Sequence, residues 1–240
     1  MDKLGIFLSV IFLWTFCWDG CGDDKVDREP ESEKFISTDS NNVILEFSFN
    51  INSETYQQTN YGEPPQLAIW IETLDSKIIK TTWVTRRAAT NDWRGKIECP
   101  VALPYWESKI ETKIQFNTRG KRNTHLDAVS GATQKEGRFS ASILVPRNSS
   151  WKYFIEVNAS SDYNKVFTYW SKEGLPDSQA NGQPSLVYGG RIIADGVSPD
   201  IPVLIGRTQQ RHAVDSLSND LSGITTAKHL IEEINVKLRE

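Results

Sequence analysis

Three arginines, Arg86, Arg87 and Arg94, fall close together, with Trp93 and Lys96 beside them. Such a cluster holds a phosphate, a carboxylate or an anionic partner surface through charge-assisted, often bidentate hydrogen bonds. A solvated loop with an arginine stacked on the tryptophan is the plainer reading and carries more weight. Further along, Asp127-Ala128-Val129-Ser130-Gly131-Ala132-Thr133 sets hydroxyls on either side of a Gly-Ala pair. Read plainly, Ser130 to Thr133 form a turn in which Gly131 takes a positive φ. Lys135, Glu136 and Gly137 then turn into a strand at Phe139.

No catalytic constellation accompanies these two segments. His125, His212 and His229 lack i,i+4 pairing, so no metal site is expected. The chain has no G-x-S-x-G elbow, no Walker-type loop and no H-E-x-x-H. Glu72, Glu98, Glu107 and Glu111 could pair as acid and base, but strand alternation turns Glu72 and Glu111 to solvent. A net charge of -4 argues against nucleic acid as a partner, because phosphate backbones demand a basic footprint. Three cysteines build no disulfide framework, and Cys99 is expected to be a small buried hydrophobe.

The elements that must position these residues are strands. Leu45, Phe47, Phe49 and Ile51 alternate with Glu46, Ser48 and Asn50, the period of a half-buried strand. Further strands are expected over 67–72, 78–85, 109–116, 139–145 and 151–157. Shorter ones are expected over 166–170, 185–188, 191–194 and 203–205. Without a βαβ rhythm, such a series folds as two antiparallel sheets sharing one core. The expected fold is all-β, an immunoglobulin-like antiparallel β-sandwich, with a barrel as the alternative. The C-terminal end is expected to be a short helix from about Thr225 running into a final strand. Trp70, Trp83, Trp106, Trp151 and Trp170 are expected in the core. Two of them exposed on one face would point instead to a carbohydrate-binding module.

The N-terminal end reads as an address. Residues 4–18, LGIFLSVIFLWTFCW, form an apolar run behind Lys3, short for a bilayer span and the length of a signal-peptide core. Cys21 follows Gly20 and precedes an acidic stretch, an arrangement that resembles a bacterial lipoprotein signal, although Cys17 competes as the processing site. Acylation of Cys21 would hold the protein on a membrane by more than one chain. Residues 22–42 carry seven acids and three bases with few apolar residues, the composition of a disordered spacer. The expected organisation is a leader over 1–20, a tether over 21–42 and a sandwich domain over 43–240, exported and anchored in the periplasm or at the outer membrane.

The segments QLAIWIETLDSKIIKTTWVTRR from Gln66, ALPYW from Ala102 and DAVSGATQKEGRF from Asp127 resemble the bacterial periplasmic family of domain of unknown function 2271. That resemblance implies a β-sandwich of the cell envelope and no established activity. The string Asp127 to Thr133 also resembles the D-x-x-[S/T]-G-A-[T/S] sequence at which bacterial flavin transferases attach FMN by a phosphoester. It would make Thr133 the acceptor hydroxyl and Asp127, Ser130, Gly131 and Ala132 recognition positions, with envelope redox or flavin-transfer proteins as partners. A non-catalytic accessory or binding module is the leading reading; a flavin carrier and a carbohydrate-binding module are the alternatives. Substitution of Arg86 or Thr133 is expected to leave folding intact.

Overall fold

The computed structural model describes residues 41–110, 115–116, 122–123, 129–133, 135, 137–195, 199–211 and 216–240. The leader, Cys21, residues 22–40, His125, Asp127 and His212 lie outside them. Among the described residues no helix is long and apolar enough to cross a membrane.

Two facing sheets, antiparallel except at one edge, form the body of an all-β sandwich. The three-stranded sheet places β1 (Asn42–Ile51) between β11 (Ile231–Arg239) and β7 (Gly137–Pro146). The six-stranded sheet runs β10 (Val203–Arg207), β9 (Leu186–Ile193), β8 (Ser150–Asn158), β2 (Gln66–Thr73), β3 (Ile79–Thr85) and β6 (Val129–Gly131). Two short strands, β4 (Gln115–Phe116) and β5 (Arg122–Asn123), pair apart from both. The period-two residues of β1, Val43 to Ile51, point inward against Leu67, Ile69 and Ile71 of β2 and Trp151, Tyr153 and Ile155 of β8. Phe49 opposes Phe139 across the β1–β7 ladder, and the two rings stack with centroids 4.9 Å apart. Phe47 is fully buried beside Tyr153, so its truncation to alanine would cost about 3–5 kcal/mol.

The six-stranded sheet is covered on its other face as well. Ala68 and Trp70 of β2 and Val187 of β9 meet a second cluster built from α2 (Arg86–Thr90), the loop through Trp93 and Cys99, and α3 (Pro104–Ile110). This accounts for the nearly unbroken apolar reading of β2, which is buried along all but its last residue. Glu72 is accordingly not solvent-facing. It is buried, accepts a hydrogen bond from Trp70 Nε1 at 3.1 Å and pairs with Lys152 Nζ at 3.4 Å.

Several sequence expectations are corrected. Lys109 and Ile110 end α3 instead of opening a strand, because Pro104 starts a helix and Glu156 holds its first turn. The buried Glu156 carboxylate accepts from the backbone N–H groups of Tyr105 at 3.2 Å and Trp106 at 2.7 Å, which have no partner inside the helix. Residues 166–170 form no strand; Asn164 Oδ1 caps the N–H groups of Val166 and Phe167 and folds the chain into a loop. Trp170 in that loop is 58% exposed, outside the core where Trp70, Trp83, Trp106 and Trp151 lie. The two short segments at 185–194 are one strand, β9, and Asn42 of the expected tether already belongs to β1. The C-terminal end has the expected form, a 3-10 turn over Thr226–His229 running into β11.

Gly131 does not form the expected left-handed turn. It lies in β6, which pairs in parallel with β3 through Trp83–Val129, Val84–Ser130 and Thr85–Gly131. The positive φ falls on Gly137, at the start of β7. The parallel pairing delivers the Gly131–Thr133 segment alongside the end of β3.

Candidate functional site

The two chemically interesting segments meet. β3 ends at Thr85 and passes directly into α2, which starts with Arg86 and Arg87; β6 ends at Gly131 beside Thr85 and passes into Ala132 and Thr133. Between them opens a cleft of about 520 Å³, closed on a third side by Tyr61, Glu63, Pro64 and Gln66. Arg86, Arg87, Arg94 and Lys135 line it, with the hydroxyl residues Thr85, Thr90 and Thr133.

Local chemistry fixes each wall. The Thr133 hydroxyl donates to the Pro65 carbonyl at 3.0 Å and lies 3.1 Å from the Thr85 hydroxyl. Thr85 Oγ1 in turn accepts from the Leu67 N–H at 2.8 Å, so a buried hydroxyl pair ties β6 to β3 and to the entry of β2. Tyr56, from α1 (Ser53–Gln57), donates through its hydroxyl to the Lys135 carbonyl and anchors the segment beyond Thr133. Asn91 ends α2 in the left-handed conformation, and its side chain accepts from Trp93 Nε1 at 2.7 Å. Trp93 is thereby buried as an anchor for the loop; its ring belongs to the outer core cluster.

The cations are not equivalent. Arg94 makes a fork to Asp92, Nε to Oδ1 and Nη2 to Oδ2 at 2.8 Å each, so its charge is already compensated. Among the described residues, Arg87 Nη1 donates to the Asp92 carbonyl at 3.5 Å. Arg86 and Lys135 are exposed and have no ion-pair partner among the described residues. Glu63, the other acid of the cleft, is engaged by Lys96.

Two further groups shape the cleft. Burial pushes the Tyr61 phenol up to about 12, with Cys99 and Glu63 adding to the rise, so it stays a neutral donor. Gln66 is buried, its Nε2 donating to the Tyr61 hydroxyl at 3.3 Å, while its Oε1 has no partner. Neither Tyr61 nor Gln66 was singled out from the sequence. Tyr61 carries no periodic or motif signal there, and Gln66 stands only at the head of the segment that carries the family resemblance, one residue before the expected strand.

Of the sequence-predicted residues, Arg86, Arg87, Arg94, Gly131, Ala132 and Thr133 are brought together. Ser130 contributes its backbone to β6 opposite Val84, and Asp127 and Cys21 lie outside the described residues. Arg86 and Lys135 suit the charge of a flavin phosphate, but the Thr133 hydroxyl does not suit the ester linkage. It is buried and already donating, where an acceptor hydroxyl must be open. Cys99 is buried and its thiol is pushed up to about 11 by burial, the inert state expected of it. Among the described residues no group of three His, Cys, Asp or Glu side chains could hold a metal ion. The chain matches no family model, no curated protein and no solved structure.

Proposed function

We propose that this protein is a non-catalytic binding module of the bacterial cell envelope, and that its cleft between α2 and the end of β6 takes a small ligand bearing a phosphate or carboxylate. The observation that carries this reading is that Arg86 and Lys135 line one cleft without a carboxylate partner among the described residues. Such cations supply charge-assisted hydrogen bonds to an anion, and Arg86 offers two parallel donors. Among the described residues that line the site no nucleophile is paired with a base, which supports binding over turnover. The envelope address rests on the apolar leader, on Cys21 behind Gly20, and on the resemblance to the periplasmic family of domain of unknown function 2271.

Titration calorimetry with inorganic phosphate tests the site. Phosphate is expected to bind in a manner weakened by salt and abolished by Arg86→Ala with Lys135→Ala. Binding unaffected by that double substitution, or no binding at all, overturns the reading. Metabolic labelling with a palmitate analogue tests the anchor; label that persists in Cys21→Ala, or no label at all, removes it.

A second reading, a carrier with FMN on Thr133, is favoured by one observation: Thr133 borders the same cationic cleft. It requires the Thr133 hydroxyl to give up its bond to Pro65. Mass spectrometry of protein expressed in the envelope alongside a flavin transferase decides it, since the attached protein gains one FMN and Thr133→Ala does not.

A further inference from the structure

The depression continues beyond the cationic cleft. Tyr61 also borders a shallower hollow made with Asn60, Gly95, Lys96 and Ile97. Asn60 and Ile97 in turn border a third hollow, of about 490 Å³, whose far wall includes Tyr163, Tyr169 and Asp177. The three hollows adjoin through these shared walls, with the Lys96–Glu63 ion pair between the first and the second, and form a partitioned furrow with two chemically different ends.

At the far end, the Tyr163 and Tyr169 rings stand nearly perpendicular with centroids 5.5 Å apart. Tyr169 is 43% exposed, so part of an aromatic face is open to a ligand. The Tyr163 hydroxyl is buried close to Ser161 and Asp177. Two acids border this end, the exposed Glu98 and the buried Asp177, whose oxygens accept from the Gln179 and Gly182 backbones. Back at the cationic end, Gln66 Oε1 is buried without a donor. The furrow thus offers cations and an unpartnered carboxamide oxygen at one end, and open aromatic surface beside two acids at the other.

We infer that the furrow binds a short oligosaccharide carrying one terminal anionic group, phosphate or carboxylate, with the anion beside Arg86 and the neutral sugar body reaching Tyr163 and Tyr169. This rests on the proposed anion site and adds the class and the direction of its ligand. The direction follows from charge. A second anion at the far end would meet Glu98 and Asp177, so a uniformly anionic polymer is disfavoured where an end-charged sugar is not. Aromatic faces accept the apolar side of a sugar ring, and carboxylates and carboxamides accept its hydroxyls.

Calorimetry on the full chain tests this with inorganic phosphate, trigalacturonate, and a panel of maltose, cellobiose, lactose and chitobiose. Each disaccharide is used neutral, terminally phosphorylated and ending in a uronate. At least one end-charged disaccharide is expected to bind about tenfold more tightly than both its neutral parent and inorganic phosphate. Which of the two anionic series binds distinguishes phosphate from carboxylate. Tyr169→Ala is expected to remove that advantage while leaving thermal unfolding and phosphate affinity unchanged. The inference is overturned if no disaccharide improves on phosphate, if Tyr169→Ala makes no difference, or if trigalacturonate binds as well as the end-charged sugars. A dipeptide with a C-terminal lysine binding better than every sugar also overturns it, because the far end would then be a site for an ammonium group. Arg86-dependent phosphate binding without a sugar contribution removes only this inference; no phosphate binding removes the anion site with it.

Discussion

The hydroxyls of Thr85 and Thr133, 48 positions apart in the chain, lie 3.1 Å apart in the buried seam between β3 and β6. With its one proton donated to the Pro65 carbonyl, Thr133 accepts from Thr85, so the pair closes the wall of the cleft where three segments meet. Replacing Thr133 by valine keeps the shape and removes the donor. A loss of about 1–2 kcal/mol is expected in urea unfolding, from the unpaired Pro65 carbonyl and the weakened Thr85 contact. Thr133→Ser is expected to restore most of it. Thr133→Val is thus expected to fold with reduced stability, and Arg86→Ala, at an exposed position at the start of α2, to fold without measurable loss.

The Arg94–Asp92 fork sets the charge of the cleft. Asp92→Asn is expected to free the Arg94 guanidinium and tighten phosphate binding several-fold, most clearly at low salt where surface charges are least screened. Arg94→Ala alone is expected to weaken binding less than Arg86→Ala. Equal effects of the two alanine variants in calorimetry would show that Asp92 does not neutralise its partner.

Two buried carboxylates give the stability a pH dependence. Burial pushes Glu156 up to about 7 against the hydrogen bonds from Ser185 and the Trp106 and Tyr105 backbones, and pushes Asp162 up to about 7 against its bonds from Gln183. Both values lie above those of the unfolded chain, so the folded state holds more protons between about pH 4 and 7. Stability is therefore full below the unfolded values and falls as pH rises through 7, by at most about 1.4 kcal/mol per pH unit for each group. Thermal unfolding at pH 5 and pH 8 is expected to give the higher midpoint at pH 5. Glu156→Gln is expected to shrink that difference while lowering the midpoint at both pH values, since it disturbs the cap of α3.

Gly182 and Gly131 are expected to respond oppositely to alanine. At Gly182, with φ of +66°, an added Cβ would stand 2.3 Å from the Asp162 backbone nitrogen, inside the Asp162–Gln183 hydrogen-bond cluster. Gly182→Ala is expected to cost more than about 2 kcal/mol or to prevent folding. At Gly131 the nearest atom to a new Cβ is Trp83 Nε1 at 3.7 Å, an ordinary contact. Gly131→Ala is expected to fold with an unchanged denaturation midpoint.

Cys99 is expected to be silent towards thiol reagents in the native protein. Its sulfur is buried, points toward the Ile97 and Ala180 carbonyls and is held protonated by burial. Reaction with an aromatic disulfide reagent is expected only at the rate of unfolding, and its acceleration by urea measures that.

The strands were legible because a half-buried strand writes its own period. Leu45, Phe47, Phe49 and Ile51 announce β1, and Trp151, Tyr153, Ile155 and Val157 announce β8, without reference to any distant residue. The chemistry-bearing segments were legible too, as residue types: the Arg86, Arg87 and Arg94 cluster and the Ser130–Thr133 string stand out by composition alone. Their meeting was not, because the parallel pairing of β3 with β6 joins residues that no local period relates. Nor was the outer layer of the six-stranded sheet. The helix at Pro104 depends on a carboxylate, Glu156, that lies some fifty residues away and is itself buried by that helix. Local side-chain alternation thus announced most of the strands, but not how they pair. Which sheet face is covered, which arginine is already neutralised and which hydroxyl is already bonded depended on contacts between distant parts of the chain, and only the tertiary structure decided them.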